Sequence, residues 1–89
     1  MAGPGDLLEY RIHYTNTGST AIADLVINDM TPAFTSFVSS ACGLPLPALL
    51  TLCTPVFPVV GAVGPVKWQF TGSLQPGTSG SVSYQVQVD

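Results

Sequence analysis

The residues with the clearest chemical potential in this chain are its two cysteines, Cys42 and Cys53. The stretch between them contains proline and glycine, so it can bend until the two Cα atoms lie about 4.4–6.8 Å apart, as a disulfide requires. We predict a disulfide, worth roughly 3 kcal/mol on the chain-entropy description. A metal site is the rival interpretation, although two thiols and one distant histidine supply fewer than the roughly four ligands of structural zinc. Free thiols are the third alternative.

The other polar side chains give little support for catalysis. His13 alternates with apolar residues in a predicted strand, so we expect it to lie on the solvent face. The serines and threonines fall in turns or on exposed strand positions, without the strand-to-helix turn that presents a nucleophile. We therefore predict a protein that is not an enzyme and that has no catalytic or cofactor-binding residues.

Two further polar groups have side chains that could form sites. Asp24, Asn28 and Asp29 could supply oxygen ligands to calcium, but no loop of EF-hand spacing follows them, and Asp29 is expected to bind turn backbone before Pro32. Lys67 could form an isopeptide bond with an Asp or Asn, yet it is predicted to face solvent, whereas such bonds are buried. We predict no metal ligands.

The elements that must position these residues are strands with alternating apolar residues. The first strand is predicted over 7–15, a second over 22–29 and a short third over 35–39, after Pro32 ends the second. The last two strands, around Trp68 and over 81–88, are joined by a Pro-Gly turn. The large aromatic residues of these strands are predicted to form the core, with a sugar-binding platform as the alternative; they are Tyr10, Tyr14, Phe37, Trp68, Phe70 and Tyr84.

No segment has the apolar spacing of an amphipathic helix, so the sequence predicts an all-β fold. Six or seven short strands within 89 residues fit a single immunoglobulin-like antiparallel β-sandwich, spanning residues 1–89, better than a closed barrel. A domain of this size buries only about 60–65% of its unfolded surface, so a disulfide would contribute substantially to stability.

Composition excludes several classes of partner. The chain is 46% hydrophobic and only 8% charged, and its net charge of −3 includes just two cations, Arg11 and Lys67. Nucleic acids and anionic membranes require a basic surface, so neither is an expected partner. No apolar run reaches the roughly 18 residues of a membrane span, and the N-terminus resembles no signal peptide. We expect one module excised from a larger exported protein, located outside the cell or on its surface or wall.

The segment from Cys42 to Pro65 is irregular, because prolines interrupt it repeatedly, and only Val56 to Val60 is predicted to form a short strand there. It is also apolar, and no charged residue occurs between Asp29 and Lys67. We interpret residues 42–55 as a possible interaction loop, which either packs on the sandwich or contacts a partner. The candidate contact residues are Leu44, Leu46, Leu49, Leu50 and Leu52.

Two runs together resemble a known family. PGDLLEYRIHYTNTGSTAIADLVINDMTP, from Pro4 to Pro32, and WQFTGSLQPGTSGSVSYQVQV, from Trp68 to Val88, are similar to the two ends of a prokaryotic conserved repeat, the family filed as domain of unknown function eleven. The resemblance implies an immunoglobulin-like repeat of large exported surface proteins, with no assigned catalytic residues. Members usually have a further strand before the Gly-Asp pair and a shorter, less apolar middle than the Cys42 to Cys53 segment.

Two functions of different kinds follow as expectations. The first is a non-catalytic structural repeat, a spacer or stalk module whose partners are neighbouring domains of the same chain. The alternative is an adhesive module that uses the 42–55 loop or a sheet edge to bind a protein or glycan.

Overall fold

The computed structural model describes residues 3–89, and all its regular secondary structure is β. It contains seven strands, which are β1 (Leu7–Thr15), β2 (Ile22–Ala23), β3 (Val26–Met30), β4 (Thr35–Cys42), β5 (Leu50–Val56), β6 (Pro65–Leu74) and β7 (Ser79–Val88). They form two antiparallel sheets packed against each other. The immunoglobulin-like, all-β sandwich predicted from the sequence is confirmed.

The first sheet has three strands in the order β1-β7-β4. In the second sheet, β6 is central, with β2 and β3 along one side and β5 along the other. Strand β7 pairs with the whole of β1, from Leu7 opposite Gln87 to Thr15 opposite Ser79. It pairs with β4 from Thr35 opposite Val88 to Cys42 opposite Val82, with a register shift between Phe37 and Ser39.

The two C-terminal strands alternate as predicted but do not pair with each other. Strand β6 lies in the second sheet and β7 in the first, so the turn around Pro76 and Gly77 crosses from one layer of the sandwich to the other. Their apolar residues face each other across the interior, and the Trp68 and Tyr84 ring centroids are 6.0 Å apart. Alternation shows which face of a strand is buried, but it does not show which strand is the hydrogen-bonded neighbour.

The core is built mainly from β6 and β7. Its fully buried side chains are Trp68, Phe37, Leu74, Val66, Val82 and Val86. Tyr14, Phe70 and Tyr84 are also buried, so five of the six aromatic residues assigned to the core lie there. Tyr10 is the exception, at 37% exposed, because β1 is an edge strand and nothing covers its far side within residues 3–89.

Several strand boundaries differ from the sequence-based prediction. The stretch predicted as one strand over 22–29 is divided at Asp24, whose φ is 55°, although Leu25 and Ile27 do face inward and Val26 outward. Strand β4 extends past Ser39 to Cys42. The strand predicted at Val56 to Val60 is wrong: β5 occupies Leu50–Val56, and the chain then forms a loop.

The side chain of Asn16 connects the turn after β1 to the rest of the sandwich through hydrogen bonds. It is 3% exposed, and its amide Nδ2 donates to the carbonyl oxygens of Thr20 at 2.8 Å and Leu74 at 3.0 Å. Its Oδ1 accepts the backbone N–H of Gly18 at 2.9 Å. The turn after β1 is therefore joined by this side chain to the end of β6 in the opposite sheet.

Replacing Asn16 with alanine is expected to lower the free energy of unfolding by about 2 kcal/mol, because two carbonyls and one N–H lose their partner. Asn16→Asp should cost more, since a carboxylate oxygen would face the carbonyls that the amide now satisfies. Urea denaturation measures both changes. Asn28→Ala, at an exposed position on β3, should stay within about 0.5 kcal/mol; Asn16→Asp matching the wild type would contradict the assigned role.

Candidate functional site

The predicted disulfide is present and joins the two sheets. Cys42 ends β4 and Cys53 lies within β5, and these strands are edges of opposite sheets on the same side of the sandwich. Their Cα atoms are 6.3 Å apart, within the range that the disulfide prediction required. Both cysteines are partly buried and pack against the core, so the bridge closes this side of the fold.

The segment between the cysteines is fixed at both ends. Gly43 donates its backbone N–H to the Ser81 carbonyl at 2.7 Å, and a Cβ at Gly43 would collide with that same carbonyl oxygen. At the other end, the Leu49 carbonyl accepts the backbone N–H of Ser73 at 2.9 Å. It also sits against Gly72, where a side chain would collide with it. The two ends of the loop therefore have fixed positions on the sandwich.

The five leucines proposed as contact residues divide into two groups. Leu50 is 5% exposed and belongs to the core, and Leu46 is half-buried and packs against it. Leu44, Leu49 and Leu52 are exposed, at 81%, 61% and 55%. Leu49 also has a φ of 71°, a left-handed conformation that non-glycine residues adopt only at a cost. The loop is thus partly packed and partly presented to solvent.

The exposed leucines of the loop lie far from Gly5 and Val88. Strand β4 starts beside Val88 and ends beside Val82, so the Cys42 loop leaves the end of the sandwich where β7 begins. At the opposite end, the N–H of Gly5 donates to the Val88 carbonyl at 2.8 Å. The domain is 44 Å long. Leu44 and Leu49 therefore project from the end opposite to Gly5 and Val88.

A second apolar area surrounds the end that holds Gly5 and Val88. The β3–β4 and β5–β6 connections meet there, where Thr31 donates its N–H to the Gly64 carbonyl at 3.1 Å and accepts the Gly64 N–H at 2.9 Å. The Phe34 carbonyl accepts the N–H of Asp89. The large apolar residues exposed on these connections are Phe34, Phe57, Val59, Val60 and Val63, and Met30 is exposed at the end of β3. This area was not among the predicted contact residues, although the sequence carries a signal for it, since no charged residue occurs between Asp29 and Lys67.

Asp29 has a structural role between the sheets. Its carboxylate accepts the Tyr84 hydroxyl at 3.1 Å and the Met30 N–H at 2.8 Å. Burial, followed by this hydrogen bond to a carboxylate, raises the pKa of Tyr84 above its usual range. Asp24 and Asn28 are exposed, and within residues 3–89 no three His, Cys, Asp or Glu side chains are grouped to hold a metal ion.

The remaining candidates are separate from one another. His13 is exposed on the outer face of β1, as predicted, whereas Lys67 is half-buried on β6 between Asn28 and Val56 rather than fully solvated.

A shallow depression of about 150 Å³ lies on the first sheet and is lined by Glu9, Ser39 and Gln85 among others. No helix that could cross a membrane occurs in the part of the chain that the structure describes.

The geometry thus offers two apolar ends and an edge strand, β1, whose outer side is unpaired within residues 3–89. Comparison of the chain with protein-family models, with curated proteins and with solved structures found no match.

Proposed function

We propose that this domain is a non-catalytic structural module of an exported prokaryotic surface protein. The Cys42–Cys53 bridge between the two sheets carries the proposal, because disulfides persist mainly in oxidising compartments and are used by small exported domains whose cores are limited. The resemblance of both ends of the chain to a repeat of surface proteins supports the same function.

The apolar end near the chain termini fits contact with a neighbouring domain. Gly5 and Val88 are hydrogen-bonded there, so polypeptide continuing from either side would lie close to Phe34 and Val63, both largely exposed. Exposed apolar areas beside chain termini are suited to packing between consecutive domains. In this arrangement the module stands out from its attachment point by up to its 44 Å length.

One observation favours adhesion as a second candidate function. The disulfide-bounded loop lies at the end opposite to the termini, and there it exposes Leu44 and Leu49. A rigid loop that is closed by a disulfide, at the end of the module farthest from its attachment point, is well placed to bind a protein or glycan. Leu49 is held in a costly left-handed conformation, which is a feature often found at binding loops.

Binding and turnover assays on the isolated domain distinguish the two functions. A structural module should show neither hydrolase turnover nor retention on panels of immobilised glycans and extracellular matrix proteins. An adhesive module should bind at least one of them. In that case Leu44→Ser combined with Leu49→Asn should reduce binding at least about tenfold, because apolar contacts at the loop tip are lost.

The matched control is Val26→Ser, at an exposed apolar position on β3, which should leave binding unchanged. Asparagine is chosen at position 49 because it tolerates a positive φ and preserves the loop backbone. Turnover by the domain would refute both functions. Binding that survives the double loop substitution would refute adhesion through this loop.

A further inference from the structure

Strand β1 presents a long, unpaired sheet edge. Its nine residues, Leu7–Thr15, pair only with β7 within residues 3–89, so the opposite edge is open over a length of about 30 Å. Natural sandwiches usually block such edges with prolines, bulges or short strands. Strand β1 has no proline, and its pairing with β7 is continuous, without a bulge.

The backbone hydrogen bonds at each end of β1 show which residues face this edge. Asn16 bonds through both its N–H and its C=O to the segment before β7, and Asp6 accepts the N–H of Val88. Even-numbered residues therefore direct their backbone groups toward β7. Because these directions alternate along a strand, the odd-numbered residues from Leu7 to Thr15 direct theirs to the open edge.

This parity limits how a second β1 could pair with the first. In an antiparallel pair, two directly opposed residues either both bond to each other or both direct their backbone groups away, so odd residues must oppose odd residues and even residues must oppose even ones. Pairing centred on Glu9 would oppose two glutamates, and pairing centred on Arg11 would oppose two arginines. Pairing centred on Tyr10 instead places Glu9 of each copy opposite Arg11 of the other, which gives two charge-complementary pairs.

The inward-facing residues of β1 also favour the pairing centred on Tyr10. When Tyr10 lies opposite its own copy, Leu8 lies opposite Ile12, and both of these are only partly buried in the single domain. Tyr10 is stacked on Tyr84 with ring centroids 5.3 Å apart, yet it remains 37% exposed. Pairing would cover these three apolar side chains at once.

We propose that two copies of this chain associate through β1, antiparallel and centred on Tyr10. The arrangement is a two-fold symmetric contact that joins the two three-stranded sheets into one continuous sheet of six strands. Glu9 and Arg11, which already form an ion pair at 3.0 Å within one copy, become an alternating cluster of four charges across the interface. The apolar domain ends are left free for other contacts.

Charge exchange tests the proposed pairing of two β1 strands. By sedimentation equilibrium the wild type should show a concentration-dependent dimer, and Glu9→Arg or Arg11→Glu alone should weaken dimerisation roughly tenfold, because like charges then oppose each other twice. An equimolar mixture of these two variants should restore the dimer as a heterodimer, since each Arg would then face a Glu. Gln69→Arg, at an exposed site on β6, should dimerise as the wild type does.

A wild type that stays monomeric at millimolar concentration overturns the proposal. So does a mixture of Glu9→Arg and Arg11→Glu that dimerises no better than the separate variants. The mixture also guards against misfolding, because two unfolded variants would not recover a specific two-chain complex, and circular dichroism of each variant alone verifies its fold. Neither outcome depends on whether the domain is structural or adhesive.

Discussion

Replacing Trp68 with alanine is expected to lower the free energy of unfolding by about 3–5 kcal/mol. Trp68 is fully buried on β6 and packs against Tyr84 of the opposite sheet, so truncation leaves a cavity between the two layers. A domain of this size is stable by roughly 4–13 kcal/mol in total, so the variant could lose most of its stability. Calorimetry or far-UV circular dichroism should show a melting temperature lower by more than about 12 °C.

Trp68→Phe is the matched control for this effect. The indole Nε1 is buried without a hydrogen-bond partner in residues 3–89, so removing it sacrifices no polar contact, and phenylalanine still fills most of the space. We expect a cost of about 1–2 kcal/mol. Equal destabilisation by alanine and phenylalanine would show that volume at this position is not what holds the sheets together.

Removing the disulfide is the second change with a large expected effect. Cys42→Ser combined with Cys53→Ser should reduce the free energy of unfolding by about 3 kcal/mol, mainly because the unfolded chain regains the freedom of the closed loop. The bridge also holds β4 of one sheet to β5 of the other. Its loss should therefore loosen the segment between the cysteines first, which faster exchange of the hydrogen-bonded amides of Gly43 and Leu50 would show.

Reductant provides the control for the disulfide variant. The wild type in reductant should fall to the stability of the double serine variant, and that variant should not respond to reductant. Two free thiols per chain in the oxidised wild type, or a double variant as stable as the wild type, would contradict a stabilising bridge.

The strands that could be predicted from the sequence are those with one buried face and one solvent-exposed face. Strand β1 was placed at 7–15, and the buried residues of β6 and β7 follow the predicted alternation. Strand β5 could not be found this way. Leu50 is buried but Leu52 is exposed, and the register with β6 shifts between them, so the apolar residues of β5 show no period of two. Its position depends on hydrogen bonds to β6.

The candidate site was predictable only in part. Cysteine pairing could be expected because only two cysteines exist and the segment between them is flexible. Which leucines are exposed could not, since Leu50 and Leu49 are adjacent and equally apolar, yet one enters the core and the other points away from it. That difference arises from the left-handed turn at Leu49, where its carbonyl is held against Gly72 and Ser73 of β6.

The sequence by itself determined that this protein is an all-β domain with two cysteines able to pair and with few charged residues. Local alternation and turn residues are sufficient for that, because they act through neighbouring residues. Only the tertiary structure decided that β6 and β7 lie in opposite sheets, that the disulfide loop lies at the end opposite to Gly5 and Val88, and that β1 is an open edge within residues 3–89. Those features depend on which distant strands share hydrogen bonds, and the pattern of a single strand does not specify its partner.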